Sequence, residues 1–245
     1  MTVLALYNLK GGVGKTAAAI NLAYLAAANG YKTLVWDLDP QGSSTFYLNV
    51  VSALKNQAKK IFTDELSIND VIQDTAFENL WIIPADISAR NIDTLLGDLK
   101  HSKRKLKTLL NDVKKFDLLI LDCPPGISLL HENIFNAADW ILMPNIPTTL
   151  SVNSFKTVME YFKDNDLDKS KVKCFFSMVD HRKNLHHEVM QQFYKDKFFF
   201  KNYIPYLSDI EKMGVYQQPL FEYANGSYAA QCFRDLWTEI KRVCL

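Results

Sequence analysis

The chain carries almost no net charge. Twenty-eight Lys and Arg stand against 27 Asp and Glu, a formal balance of +1, so whole-molecule electrostatics gives no pull toward nucleic acid or an anionic membrane. Any polyanion contact must come from a local patch. Long apolar runs are missing too: stretches such as Ala17–Ala28 fall short of the ~20 apolar residues needed to cross a bilayer. The opening residues Met1–Leu6 lack the basic region and cleavage site of a secretory signal, so export is not expected. Cys123, Cys174, Cys232 and Cys244 stand far apart with no CxxC or Cys/His metal spacing, which fits reduced thiols in a cytoplasmic protein and argues against a zinc or iron–sulfur framework. His186 and His187 are adjacent, and neighbouring positions on a helix diverge, so they do not form a ligand pair. No repeat, low-complexity tract or Pro/Gly/Ser linker appears, and residues 1–245 are expected to fold as a single domain.

What is present is globular: 48% apolar and 22% charged residues, enough to build a sizeable core. Apolar, β-branched runs recur at Val3–Tyr7, Thr33–Trp36, Leu80–Ile83, Leu118–Leu121, Trp140–Met143, Val172–Ser177 and Tyr203–Ile204. Segments of helical periodicity separate most of them, and strands alternating with helices predict an α/β fold, a mostly parallel twisted sheet with helices on both faces. Thr16–Asn29 reads as a helix closed by Gly30, and Leu54–Gln73 as one or two short peripheral helices. Ser151–Phe162, Leu185–Lys197 and Ser227–Val243 read as amphipathic helices, the last packing Cys232, Phe233, Leu236, Trp237 and Ile240 inward.

The strongest signal is Lys10-Gly11-Gly12-Val13-Gly14-Lys15-Thr16, which leaves a strand and opens a helix. Glycines let successive N–H groups converge on a phosphate, and the helix N-terminus adds partial positive charge. Lys15 can reach the β- and γ-phosphates, and the Thr16 hydroxyl can ligate Mg²⁺. Two further segments carry acids at strand ends: Trp36-Asp37-Leu38-Asp39-Pro40-Gln41-Gly42-Ser43-Ser44, off the second strand, and Phe116–Asp122 followed by Cys123-Pro124-Pro125-Gly126. An aspartate ending a buried strand beside a phosphate loop can hold Mg²⁺, often through water, which makes Asp122 a Walker B acid. Cys123 has no neighbouring base and reads as an inert thiol under the loop.

The usual phosphate-loop pattern puts glycine where this chain has Leu9, and a lysine, Lys10, precedes the double glycine. In this the sequence resembles the ParA/MinD family of deviant Walker A P-loop ATPases, closest to its short, Soj-type partitioning members. The resemblance runs on through Asp122-Cys123-Pro124-Pro125, Asn136–Pro144 and Phe176–Arg182, nearly the whole chain. It implies an Mg²⁺-dependent ATP hydrolase whose ATP-bound form is a sandwich dimer, with ATP contacted by Lys10, Gly11, Gly12, Val13, Gly14, Lys15, Thr16 and Ala17. Lys10 would reach the partner's nucleotide, so that ATP occupancy and dimerisation become one equilibrium. Asp39 would orient or activate the attacking water, and Lys10, Lys15 and Asp39 would form the catalytic set. Thr16, Asp37 and Asp122 would form the metal set, with Asp37 supporting either the Mg²⁺ shell or the loop. Met178 and Pro205 would touch the base.

The resemblance also implies a role: positioning or segregating a plasmid, chromosome origin or protein assembly from a nucleoid-bound ATP form, with a ParB-like or other cargo adaptor stimulating hydrolysis. No helix-turn-helix segment precedes the loop, which implies no operator-specific repression. Where many partitioning members have Ile-Pro-Arg, this chain has Ile204-Pro205-Tyr206, so a cation associated with DNA contact is replaced. Between Lys100 and Lys115 stand seven Lys and Arg and one acid, with Leu99, Leu106, Leu109, Leu110 and Val113 as the inward stripe of an expected amphipathic helix. That basic face serves either solubility or non-specific phosphate contact. A membrane-associated MinD-like role is the weaker branch, because the C-terminal helix is already explained by core packing. An adaptor with negligible turnover and a metabolic P-loop enzyme are the remaining alternatives.

Overall fold

A computed structural model of the chain describes residues 1–51, 56–98 and 102–245. Leu54 and Lys55 of the expected peripheral helix, and Leu99 and Lys100 of the basic stripe, lie outside the described residues. Seven strands, β1 (Thr2–Leu6), β2 (Thr33–Asp37), β3 (Gln73–Asp74), β4 (Leu80–Ile83), β5 (Leu118–Asp122), β6 (Trp140–Asn145) and β7 (Val172–Phe176), form one sheet in the order β3-β4-β2-β5-β1-β6-β7. Every pairing is parallel except that of β3 with β4. Parallel strands connected through helices are covered on both faces, and β1, β2 and β5 accordingly read as nearly continuous apolar runs.

Alternation along a strand sends side chains to opposite layers. Val3, Ala5 and Tyr7 join one core with Leu119 and Leu121; Leu4 and Leu6 join the other with Leu118 and Ile120. The second layer is built on the helices Lys15–Ala28 and Tyr228–Cys244, the first on Leu129–Ala137, Thr149–Asp164 and several shorter helices. The helix Lys15–Ala28 is apolar nearly all round because it is buried between the sheet and the C-terminal helix. Gly30 closes it at φ +87°.

Three expectations change. Tyr203–Ile204 is not a strand: the segment is extended, with Ile204 N–H donating to Phe176 O at 2.8 Å and Tyr206 N–H to Val179 O at 2.9 Å, but its pairing is limited to one isolated bridge between Val179 and Pro205. The 57–71 region is not peripheral, since Phe62 and Ile61 are buried in the core beside Trp36. The basic segment is no continuous helix. It breaks into Ser102–Arg104, Lys105–Leu109 and Leu110–Val113, although Leu106, Leu109, Leu110 and Val113 do point inward.

Candidate nucleotide and magnesium site

The C-terminal ends of β1, β2, β5, β6 and β7 meet along one edge of the sheet, where open α/β folds bind ligands. From β1 the chain turns through Lys10–Gly14 into the helix Lys15–Ala28. Gly12 and Gly14 have φ of +70° and +88°, conformations that a side chain strains. A β-carbon on Gly14 would also lie 2.7 Å from Ser177 Oγ, whereas at Gly11 and Gly12 it would meet nothing within 4 Å. The loop's inner face therefore opens on space. Asn8, fully buried, anchors it: its amide donates to Pro144 O at 2.8 Å and to Asn145 Oδ1 at 3.3 Å, and its Oδ1 accepts Lys10 N–H at 3.0 Å.

Lys15 is buried and donates Nζ–H to Lys10 O at 3.1 Å. Burial lowers its pKa and the Asp122 charge opposes the shift. Lys10 differs. It is half-exposed, and its ammonium has no hydrogen-bond or ion-pair partner among the described residues.

Asp37 and Asp122 occupy the same register position on β2 and β5. Both are buried. Asp37 Oδ2 accepts from Thr45 N and Thr45 Oγ1, each at 2.8 Å, and Asp122 Oδ2 accepts from Ser44 Oγ at 2.7 Å. The Thr16 hydroxyl lies close enough to Asp122 to help hold its pKa down. Each carboxylate keeps one buried oxygen, Oδ1, without a partner. Desolvation is the main cause that raises both pKa values, and their proximity adds to the shift at Asp37. Two buried carboxylates with orphaned oxygens beside a threonine hydroxyl and a lysine fit a hard divalent cation of the Mg²⁺ type.

Asp39 accepts Gln41 N–H at 3.0 Å and faces a cavity of about 560 Å³, a volume suited to a small-molecule ligand. Gly11, Gly12, Gly14, Lys15, Thr16, Ala17 and Asp39 line one part of it; Met178, Ile204, Pro205, Tyr206 and Phe233 line another. Met178 reaches the wall in a left-handed conformation, φ +54°. Of the expected site residues, Lys10 and Val13 are not on this wall, and Asp37 and Asp122 are also not part of it.

Sequence reasoning missed a supporting set. Ser44 and Thr45 sit on the helix Ser43–Tyr47 immediately after the acidic segment, and a run of hydroxyls after two aspartates was the available signal. Tyr7 and His131 carried no local signal. Tyr7 donates its hydroxyl to Gly126 O at 2.8 Å, while Gly126 N–H donates to Leu9 O at 3.1 Å, so the turn after Asp122 is tied to the strand that feeds the phosphate loop. His131 bridges Pro124 O at 3.0 Å and Ser128 Oγ at 2.9 Å inside the same turn, and burial lowers its pKa. Burial pushes the Cys123 thiol well up, consistent with an unreactive packed group.

Sheet order, loop and acids together define a P-loop nucleoside-triphosphatase fold. The family model described as an AAA domain matches residues 1–173. The chain is 30% identical over 247 aligned residues to the sporulation initiation inhibitor protein Soj of Bacillus subtilis, covering 97% of each. Its fold superimposes on the Cyanothece McdA–ATP complex with a TM-score of 0.85 at 21% identity (99% of this chain, 96% of that one). The match to the septum site-determining protein MinD of Pyrococcus horikoshii, complexed with Mg-ADP, has a TM-score of 0.77 at 22% identity (98% and 95%). The chain belongs to the ParA/Soj family of chromosome- and plasmid-partitioning and positioning ATPases.

Proposed function

We propose that residues 1–245 act as one Mg²⁺-dependent ATPase unit that dimerises around ATP, binds DNA through phosphate contacts and positions a cargo in cycles of hydrolysis. The observation that carries this reading is the pair Asp37 and Asp122, buried with one orphaned oxygen each close to Lys15 and Thr16. Thr16 and Asp122, with Asp37 behind them, would hold the cation, which when bound neutralises phosphate charge. The Gly11–Gly14 backbone and Lys15 bind and orient the triphosphate, and Met178 and Pro205 pack on the base. Asp39 takes up the position of a group that orients a water and accepts its proton. Lys10, with its ammonium unpaired in the single chain, is the cation supplied to a second copy. The same nucleotides in the solved structures of similar fold, ATP and Mg-ADP, support the cofactor assignment.

The DNA contact is assigned to exposed cations. Arg104, Lys107 and Lys114 face solvent without a carboxylate partner, whereas Lys103 pairs with Glu132 at 3.0 Å and Lys105 is bound to Asp64. Tyr206 donates instead to Glu211 at 2.7 Å, so that corner of the cavity offers no phosphate-binding charge. The membrane alternative lacks a free lipid-facing helix: Tyr228–Cys244 buries Cys232, Phe233, Leu236, Trp237 and Ile240 in the core, and no helix among the described residues is long and apolar enough to cross a membrane. A cytoplasmic protein held on the nucleoid in its ATP form, with a ParB-like or other adaptor as partner, follows from this reading. Binding to random duplex DNA with ATP–Mg²⁺, with ADP and without nucleotide, across a salt series, tests it. ATP-dependent binding that weakens steeply with salt is expected; no binding in any state refutes the DNA arm.

A further inference from the structure

The turn that follows Asp122 has few donors with which to hold itself in place. Pro124 and Pro125 carry no N–H. On either side of them the Cys123 N–H donates to Leu6 O at 3.2 Å and the Gly126 N–H to Leu9 O at 3.1 Å, so any further bond that fixes the turn must be donated to its carbonyl oxygens. Two buried side chains from different elements supply such bonds: His131 Nε2 lies 3.0 Å from Pro124 O, and the Tyr7 hydroxyl donates to Gly126 O at 2.8 Å. We propose that Tyr7 and His131 are positioning residues for ATP hydrolysis, holding the Pro124–Gly126 turn by its carbonyls against the phosphate loop before nucleotide arrives. This role rests on the reading of the protein as an ATPase.

Packing alone does not call for either donor. Tyr7 is fully buried, with its ring edge-on to Phe135 at 4.9 Å and tilted against His131 at 5.3 Å. A phenylalanine would make the same ring contacts, whereas the buried hydroxyl carries a desolvation cost that the bond to Gly126 O offsets. Burial raises the pKa of the phenol, with Cys123 adding to the shift, so the group stays a donor. His131 is constrained in the same sense. A carbonyl can only accept, so the contact with Pro124 O requires a proton on Nε2. In the neutral ring, which burial favours by lowering the pKa, Nδ1 is then the acceptor and the Ser128 hydroxyl, 2.9 Å away, donates to it. The two bonds together fix the tautomer and the ring orientation. The helix Leu129–Ala137 beneath is anchored as well: Leu130 N–H donates to Asp93 Oδ1 at 2.9 Å, and Asn133 Oδ1 accepts Leu106 N–H at 3.1 Å.

The turn borders the place where phosphate chemistry would occur. Leu6 and Asp122 share a register position on neighbouring strands, the bond from Gly126 lands on the residue before Lys10, and Pro125 lines the nucleotide cavity together with Gly11, Gly12 and Asp39. Asn8 ties the other side of the same loop to Pro144 and Asn145. Loop and turn are therefore linked to each other and braced from β6 on one side and from His131 on the other. A wall held in advance needs no ordering when the transition state forms; a slack one does. Neither brace involves the glycines of the phosphate loop, Lys15 or Met178 and Pro205, so its loss acts on turnover more than on ATP binding.

Hydrogen exchange in nucleotide-free protein reads the brace without any turnover. Tyr7→Phe keeps the ring and deletes the donor, and is expected to speed exchange of the Gly126 amide about tenfold while the amides of β5 stay unchanged. Steady-state ATP hydrolysis then reads the role. In Tyr7→Phe and in His131→Leu, kcat is expected to fall about tenfold with KM for ATP within about twofold of the wild-type value, and His131→Gln, which returns an N–H near the Nε2 position, is expected to recover most of the loss. Unchanged Gly126 exchange in Tyr7→Phe overturns the brace. An undiminished kcat in Tyr7→Phe, a rise in KM that matches the fall in kcat, or a His131→Gln no better than His131→Leu overturns the positioning role while the ATPase assignment stands. Absence of turnover in the wild-type protein refutes that assignment instead, and the exchange result still decides the brace.

Discussion

Replacing Asp122 with asparagine is expected to stabilise the nucleotide-free protein above neutral pH and to remove its magnesium-dependent response to ATP. Asp37 and Asp122 face each other at one register position. Adjacent strands lie about 4.8 Å apart, and two ionised carboxylates at that spacing repel by roughly 3 kcal/mol at an effective dielectric of about 20. Burial raises both pKa values. A carboxyl whose folded pKa exceeds its unfolded value contributes stability that is intact below the unfolded pKa and lost as pH rises through the folded one. The window here runs from about 4 up to about 7, where Asp37 is pushed. Asparagine removes one charge yet keeps an oxygen to accept from Ser44. The gain at about pH 8 is therefore roughly 2–3 kcal/mol, or about 5–10 °C in Tm for a chain of this size, shrinking toward about pH 5. Thermal unfolding followed by circular dichroism at both pH values, with and without ATP–Mg²⁺, reads all of it. A lower Tm at the higher pH, an equal gain at both, or a retained Mg²⁺-dependent rise with ATP refutes the assignment of a repelling pair awaiting a cation.

Lys10→Ala is expected to leave monomer stability within about 0.5 kcal/mol, because the side chain has no partner to lose, and to weaken ATP-driven dimerisation; sedimentation showing an unchanged ATP-dependent dimer would sink its role in trans. Asp39→Ala is expected to slow turnover by about 100-fold while ATP binding persists, measured by phosphate release beside calorimetry. Loss of ATP binding instead makes Asp39 a structural or metal-supporting residue. Gly14→Ala combines a φ of +88° with a contact of 2.7 Å to Ser177 Oγ and is expected to cost about 1–3 kcal/mol. Ser177→Ala added to it is expected to recover only part, since the contact goes and the backbone strain stays; full recovery in denaturant melts refutes the strain.

The difference between what was legible and what was not follows the distance over which each signal acts. The phosphate loop spans seven consecutive residues, and its requirements (glycine where φ is positive, lysine and threonine at a helix start) are met within one turn of chain. The strands were legible because burial on both faces writes itself as a continuous apolar run. Tyr203–Ile204 shows where that logic fails: an extended apolar pair looks the same whether its backbone enters a full ladder or, as here, makes a single bridge. The broken basic segment shows the same limit for helices, since the inward spacing of Leu106, Leu109, Leu110 and Val113 survives a mixture of α and 3₁₀ turns.

By itself the sequence determined the fold class, the phosphate loop and the acids at two strand ends, because each is set by neighbours in the chain. Only the tertiary structure decided that Asp37 and Asp122 share a register position, that Asn8 and Asn145 anchor the loop, and that Tyr7 and His131 hold the turn after Asp122. Those contacts join residues 85, 137, 119 and 7 positions apart, and most of them exist only once the sheet has ordered its strands as β2-β5-β1-β6. Strand order is a property of how whole layers bury their apolar faces, and no local pattern encodes it.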